Sequence, residues 1–383
     1  MADPVTVSRA AALVVPLDRA LEAAVGPKLG RLAELAELAG MAGLAGGEEA
    51  AGSAGPAAAG ISVPSGFAVT VAGFRRQADH LGLAGLAPEA ARARLLTEAV
   101  EPDLAAAITA AYEELCEQRL DLGLPVAVRS SAVGEDGATA SFAGVFDTFL
   151  GMSGSGRVLD AVRRCWASLF GSRALAYREG VEPDGREVPT AMAVGVLELV
   201  PARASGVAFS VHPVTGARDR VVIEANFGCG EAVVQGLVTP DHIQVGLDGR
   251  VIDLAVNRKD VISVFDYVAG EVTLRPMPLR LRTRPVLDAE QLAAVARAVR
   301  AVASHYGHPV DVEWAISRHR RPGDPVTVLQ ARPVTVLNEA AQVETAVYPS
   351  AQVEPGEPEL VWDPVAFAAK YVFGQQDADE GTS

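Results

Sequence analysis

Between Pro125 and Leu150 the chain reads PVAVRSSAVGEDGATASFAGVFDTFL. A short apolar run turns abruptly polar at Arg129-Ser130-Ser131 and passes into a loop of small residues. A strand that delivers a cation to its end, followed by small residues rich in backbone N–H groups, is an arrangement that holds polyphosphates. The same spacing also describes a buried strand running into an ordinary surface turn. On its own the segment leaves both open.

Pro309–Pro333, PVDVEWAISRHRRPGDPVTVLQARP, narrows the choice. Two β-rich runs flank an Arg-Arg-Pro-Gly-Asp-Pro loop, which is a hairpin signature. Side chains alternate along a strand, so Asp311 and Glu313 share one face, as do Gln330 and Arg332. In-register pairing brings two carboxylates, an amide and a guanidinium to one side. Mg²⁺ takes oxygen from carboxylate and amide while keeping phosphate oxygens as further ligands. Arg332 then meets phosphate with its planar fork. The competing description is a solvated strand face with a surface ion pair. Against it, Val310, Val312, Trp314 and Leu329 make the opposite face apolar, so the hairpin packs on a core. A third segment, Val25–Leu35, sets Gly26 and Gly30 around Lys28 just before an apolar helical pattern. A lysine at a glycine-bearing helix start suits a phosphate, and equally describes a surface lysine.

Together these segments resemble the nucleotide-binding domain of the pyruvate phosphate dikinase, phosphoenolpyruvate synthase and rifampin phosphotransferase family. Val25–Leu35 is similar to its glycine-glycine-lysine start, and Gly60–Thr70, GISVPSGFAVT, to its VPxGF segment. Val128–Thr148 is similar to VRSS…SFAG…DT, and Cys165–Arg178, CWASLFGSRALAYR, to the CWAS helix. Ser205–Asp241 and the closing DVEWAI…VLQARP follow in family order. The resemblance implies an α+β chain with the ATP-grasp fold, two lobes clamping ATP. Boundaries expected on this basis are 1–120 for the N-terminal lobe, 121–338 for the remainder and 339–383 for a linker and tail.

The resemblance also implies site roles. Lys28, Arg129 and Arg332 neutralise phosphate charge, Glu313 and Gln330 hold Mg²⁺, and Asp311 orients them or ligates through water. Gly144 and Thr148 match positions where the family's loop closes over ATP. Leu197 falls where relatives carry a glutamine beside the adenine, so it offers packing without the amide's hydrogen bonds. Pro27 replaces a family glycine and removes one backbone donor. Val145 stands where a polar residue is common.

Composition agrees with this reading. A chain of 383 residues holds ample core, and with 49% hydrophobic but only 5% aromatic residues that core is built from Ala, Val and Leu. A net charge of −15 argues against nucleic-acid or anionic-membrane partners. The cysteines Cys116, Cys165 and Cys229 are too scattered for a disulfide framework or zinc site. Cys165, beside Trp166 and Leu169 in a helical pattern, is expected in the core, and Cys229 has no nearby base. With no signal peptide and no membrane-length apolar run, a cytoplasmic protein is expected.

Helical spacing covers Leu17–Leu44, Ala87–Leu120 (Leu104, Ile108 and Leu115 on one stripe), Asp160–Arg178 and Asp288–Tyr306. Strands dominate Pro189–Ile252. Ala45–Gly60 is glycine-rich and reads as a flexible loop. Glu224–Glu231, EANFGCGE, places glycines before an apolar run, either to face a nucleotide or to let backbones approach closely. His212, beside Pro213, is expected to be structural, and His308 and His319 to face solvent.

None of the histidines (His80, His212, His242, His305, His308, His319) sits in the Gly-Gly-x-Thr-Ser-His-Ala setting of the family's phosphoryl carrier. The resemblance therefore implies an ATP-binding subunit of a split dikinase-type phosphotransferase. It passes the β,γ-pyrophosphate of ATP to a histidine on a separate swivelling-domain partner and releases AMP. A small-molecule acceptor is phosphorylated later. The tail's Val361-Trp362-Asp363-Pro364 offers a partner dock, or packs on its own domain. Leu197 and Pro27 also fit a nucleotide-binding regulatory module with decayed catalysis, and the fold alone also allows an ADP-forming ligase.

Overall fold

A computed structural model of the chain describes residues 12–44, 60–132, 146–175 and 191–334. Two compact units emerge. The first is Met1–Pro201 with Phe265–Thr273 and Thr327–Arg332, and the second Ala202–Val264 with Leu274–Val326 and Pro333–Ser383. The first unit continues through residue 120 to Pro201. The cause is sheet pairing, since strands on both sides of residue 120 hydrogen-bond in one sheet.

The first unit runs β1 (Val14–Pro16), α1 (Glu22–Leu44), β2 (Ile61–Ser62), β3 (Gly66–Val69), α2 (Val71–His80), α3 (Pro88–Thr97), α4 (Pro102–Arg119), β4 (Val126–Ala132), β5 (Thr148–Met152), α5 (Ser155–Ser168) and β6 (Met192–Glu198). Its sheet has the order β1-β3-β6-β4-β5, with every neighbour antiparallel. Prolines open α3 and α4, where their missing N–H costs nothing. Leu104, Ile108 and Leu115 on α4 are buried, as their spacing requires.

Two helices differ from expectation. Leu17–Arg19 forms a separate 3-10 turn, and α1 starts only at Glu22. Helix α5 covers Ser155–Ser168, so it begins five residues before Asp160; helix resumes at 172–175, and residues 176–178 of the expected span lie outside the described residues. The backbone enters it through Gly154 (φ 88°), and tight Leu169 N→Trp166 O and Phe170 N→Ala167 O bonds close its last turn. Cys165 and Trp166 are wholly buried there.

The second unit contains β7 (Ala202–Phe209), β8 (Arg220–Phe227), the single turn α6 (Glu231–Val234), β9 (Asp241–Gly246), β10 (Val251–Ala255), α7 (Ala289–Tyr306) and β13 (Val310–Ser317). The ribbon β11 (Val261–Asp266) and β12 (Glu271–Pro276) lies between β10 and α7 in the chain. Strands β10-β9-β8-β7-β13 are adjacent and antiparallel. Helix α7 carries a full capping box, Asp288 with Gln291, and ends on Gly307 in the left-handed region (φ 70°). That is the helix the sequence predicts.

The last strand, β14 (Val326–Pro333), follows the polar turn after β13, so both strands of the expected hairpin form. Its Thr327–Arg332 stretch belongs to the first unit and neighbours β2, where the Thr327 and Ser62 hydroxyls meet at 3.2 Å. Residues 45–59, Gly144, Val145, residues 176–190 and the tail from 335 lie outside the described residues.

Candidate functional site

The first unit places three of the sequence candidates, Arg129, Thr148 and Leu197, on one sheet face. Arg129 on β4 is paired in register with Thr148 on β5 and with Gly195 on β6. Two residues along, Ala127 is paired with Leu197. Cross-strand partners share a face, so Arg129, Thr148 and Leu197 lie on the same side. Arg129 is half-buried, Thr148 exposed, and Leu197 only 2% exposed within the core.

The start of α1 docks beside them. Gly26 breaks the helix with φ 74° and ψ 168°, a conformation essentially only glycine adopts. A Cβ there would stand 2.7 Å from Ser131 Oγ. Pro27 opens the second helical segment and Lys28 follows in its first turn, while the Leu29 N–H donates to Ser131 Oγ at 3.4 Å. Gly195 makes room for this packing, because a Cβ on it would lie 2.5 Å from Leu29 Cδ2. A lysine in a first turn adds to the positive pole of the helix rather than offsetting it. That arrangement favours an anion.

Arg129 also reaches β14. Its Nη1 donates to Leu329 O at 2.9 Å and its Nη2 to Gln330 Oε1 at 2.8 Å. Gln330 is 7% exposed and Arg332 half-buried. The first unit therefore links Arg129 to Gln330 directly, a contact that the sequence spacing does not reveal. Gln330 Oε1 has a second lone pair for a further partner.

In the second unit Asp311 and Glu313 share a face of β13, with Asp311 6% exposed and Glu313 half-buried. Register carries the same face across the sheet, from Glu313 to Val207, Glu224 and His242. Glu224 Oε1 and His242 Nδ1 are 2.6 Å apart. The carboxylate holds the imidazole pKa above its usual value, and burial pushes that of Glu224 up. His242 Nε2 meets Gln244 Nε2 at 3.4 Å, and Gln244 Oε1 accepts from Arg220 at 3.0 Å. The sequence gives no sign of this chain of contacts.

The remaining candidates divide cleanly. His212 Nδ1 accepts from the Val214 and Thr215 N–H groups at 3.2 Å each, so it shapes its loop as expected. His308 and His319 are exposed. Burial pushes the Cys165 thiol far up and that of Cys229 up to about 11, so neither is a thiolate near neutral pH. In the EANFGCGE segment, Gly228 (φ 81°) would place a Cβ 2.2 Å from Ser263 O, so close backbone approach fixes it. Among the described residues no group of three or more His, Cys, Asp or Glu is gathered for a metal, and no helix is long and apolar enough to cross a membrane.

Comparison with known proteins gives the same direction. The chain is 41% identical over 308 residues to a probable phosphoenolpyruvate synthase of Methanothermobacter thermautotrophicus, covering 76% of this chain and 43% of that protein. It is 34% identical to the phosphoenolpyruvate synthase of Aeropyrum pernix, over 81% of this chain and 43% of that protein. A rifampicin phosphotransferase of Streptomyces sviceus is 36% identical over 80% of this chain and 36% of its own length. The chain thus spans less than half the length of these relatives. The family described as pyruvate phosphate dikinase, AMP/ATP-binding domain, matches residues 25–351, and the chain belongs to it.

Proposed function

We propose that the chain is the ATP-binding component of a dikinase-type phosphotransferase with the ATP-grasp fold. The observation that carries this reading is the Arg129 arrangement. A half-buried guanidinium is held by Leu329 O and Gln330 Oε1, in register with Thr148, on the sheet whose Ser131 anchors the Lys28 helix start. Fixed cations beside a helix start suit phosphate.

In this proposal Lys28, Arg129 and Arg332 neutralise phosphate charge, and Thr148 and Gly144 bind ATP, Gly144 from outside the described residues. Leu197 gives the purine an apolar contact only. On the family resemblance Glu313 and Gln330 are the residues that would supply oxygen to Mg²⁺, with Asp311 orienting them or acting through water. Carboxylate and amide oxygens are the donor set a hard cation takes. Bound Mg²⁺ neutralises charge developing on the transferred group, and the side chains position it.

The reaction assigned to the whole enzyme breaks the bond between the β-phosphorus of ATP and the oxygen that bridges it to the α-phosphate, and that oxygen stays with AMP. It forms a nitrogen–phosphorus bond to a histidine of a swivelling-domain partner, and AMP leaves. The pyrophosphate is then cleaved by water or phosphate, and the phosphohistidine serves a small-molecule acceptor. Calorimetry with ATP and Mg²⁺ tests the first half. Mg²⁺-dependent binding is expected, weakened in Glu313→Ala and Gln330→Ala, and its absence at millimolar ATP ends the proposal. Product analysis with a partner tests the second half. AMP supports pyrophosphoryl transfer, whereas stoichiometric ADP means direct γ-transfer.

A further inference from the structure

In the first unit α4 ends on a leucine in an uncommon backbone conformation. Leu120 closes the helix at φ 53°, ψ 34°, and among the described residues it is the non-glycine with positive φ. That left-handed cap position favours glycine or asparagine, and a bulky side chain there is strained. No burial compensates the strain, since Leu120 is 94% exposed and Leu122 beside it 89%. The loop itself is well held. Leu120 N donates to Glu117 O at 3.1 Å, Asp121 N to Cys116 O at 3.0 Å and Leu124 N to Asp121 O at 3.1 Å. Asp121 Oδ1 accepts from Gly123 N at 3.0 Å, and Gly123 O from Ser153 Oγ at 2.8 Å. A hydrogen-bonded turn thus presents two leucines to solvent. Strain at an exposed apolar residue points to a contact with another molecule.

A cavity of about 390 Å³ lies beside them, with Tyr112, Glu113, Glu117, Leu122 and Ser155 in its lining. Buried Tyr112 is fixed there by its hydroxyl, which donates to Leu124 O at 2.9 Å and accepts from Gly154 N at 2.8 Å. Glu113 and Glu117 stand one turn apart on α4, and like charges at that spacing repel. The start of α5 at Ser155 contributes about half a positive charge against two full negative ones, so the cavity suits a cation. A basic side chain can lay its methylene stem along Leu122 and Tyr112 and its head between the carboxylates. A small cation would leave Leu120 uncovered, because that side chain stands outside the lining. A second copy of the chain is disfavoured by its own net charge of −15.

We propose that Leu120, Leu122 and this cavity form a docking surface for another polypeptide, one that presents an arginine flanked by apolar side chains. Arginine suits the cavity because its planar fork meets carboxylates with paired bonds. The probe is acetyl-Leu-Arg-Leu-amide, with acetyl-Leu-Gln-Leu-amide as its neutral counterpart, titrated calorimetrically into the full chain. The arginine peptide is expected to bind, and the glutamine peptide to bind at least about tenfold more weakly, because charge-assisted bonds carry the difference. Glu117→Gln and Leu122→Ser should each weaken the arginine peptide about tenfold. Leu120→Gly is the sharper variant. It should weaken the peptide yet raise the melting temperature, because relief of the left-handed strain exceeds the entropy that glycine adds to the unfolded chain. Mg²⁺-dependent ATP binding should be the same in all three variants, since none of these residues is assigned to the nucleotide. Equal binding of the two peptides, no binding of the arginine peptide at millimolar concentration, or indifference to all three variants overturns the proposal. So does a lower melting temperature in Leu120→Gly, which makes the leucine a packing residue. A wild-type dimer that Leu122→Ser dissociates overturns it too, because the occupant is then a second copy.

Discussion

Two polar contacts, one in each unit, show how similar chemistry takes different roles. In the first unit Arg129 reaches Gln330 across a sequence separation of 201 residues, and its side chain stays half-buried. In the second unit Lys259 reaches Asp241 and both are almost fully excluded from solvent, at 0% and 1%. Every strong bond of that pair ends on the protein. Lys259 Nζ donates to Asp241 and to Asn257 O at 2.8 Å, while Asp241 accepts from Asn257 N at 3.1 Å and Val286 N at 2.8 Å. A cation so enclosed has nothing left for a ligand. It ties β9 to the segment that leads into α7. Arg129, by contrast, is positioned by its partners and keeps access to solvent, which is what a ligand-binding cation requires.

The largest expected effect comes from breaking the enclosed pair. Lys259→Met should leave Asp241 buried and uncompensated, at a cost of about 3–5 kcal/mol in stability. Denaturant unfolding measures it, and the surviving folded fraction should bind ATP normally. A loss below about 1 kcal/mol, within the range of exposed pairs, would show that water reaches the pair. Arg129→Ala should behave in the opposite way. ATP affinity should fall by about 1.5–3 kcal/mol, the worth of a charge-assisted contact, with a smaller change in stability. Calorimetry beside thermal melting separates the two, and unchanged ATP affinity in a well-folded variant would remove Arg129 from the site.

The contrast also marks what the sequence can and cannot disclose. Local signals are legible. Asp288 before an apolar period predicts α7, and the alternating runs around Arg-Arg-Pro-Gly-Asp-Pro predict β13 and β14. Family-like strings single out Lys28, Arg129 and Gln330; Arg129 bonds Gln330 directly, and Leu29, next to Lys28, bonds Ser131. What fails is whatever depends on a distant partner. Nothing local to Lys259 in VNRKD tells of Asp241 or Val286. The Glu224–His242 bond needs the β8–β9 register, which composition does not set. Helix α5 begins earlier than its apolar spacing suggests because the glycine at 154 that admits it looks like loop, and i→i+3 bonds interrupt the helical spacing just after Ser168.

Gly26 joins the two sides of the comparison, since it is a structural residue that places one proposed to bind ATP. Gly26→Ala forces a Cβ into φ 74°, ψ 168° and toward Ser131 Oγ. Strain of this kind costs about 1–3 kcal/mol. The Lys28 helix start should shift with it, so both melting temperature and ATP affinity should fall. Lys28→Ala should lower affinity alone. Identical thermal behaviour of wild type and Gly26→Ala would mean that the helix start is not held as described.

The smallest effect is a pH dependence in the second unit. The Glu224 carboxylate raises the His242 pKa, with a further push from Asp253, and burial raises that of Glu224 itself. A group whose folded pKa is raised contributes stability that is complete below its unfolded value and is lost as pH rises through the folded one. For His242 the loss begins above about pH 6.5, and for Glu224 above about pH 4.3. His212 works in the other sense. Burial, then His242 and Arg220, lower its pKa, so its contribution is present above about pH 6.5 and lost as pH falls through the lowered value. Stability measured from pH 6 upward should therefore decline as His242 gives up its proton. The decline is modest because the imidazole is 33% exposed and solvent screens it. His242→Gln keeps a donor toward Glu224 but cannot titrate, so it should flatten the alkaline limb. An unchanged slope in that variant would assign the pH dependence elsewhere and leave the Glu224–His242 bond with a packing role only.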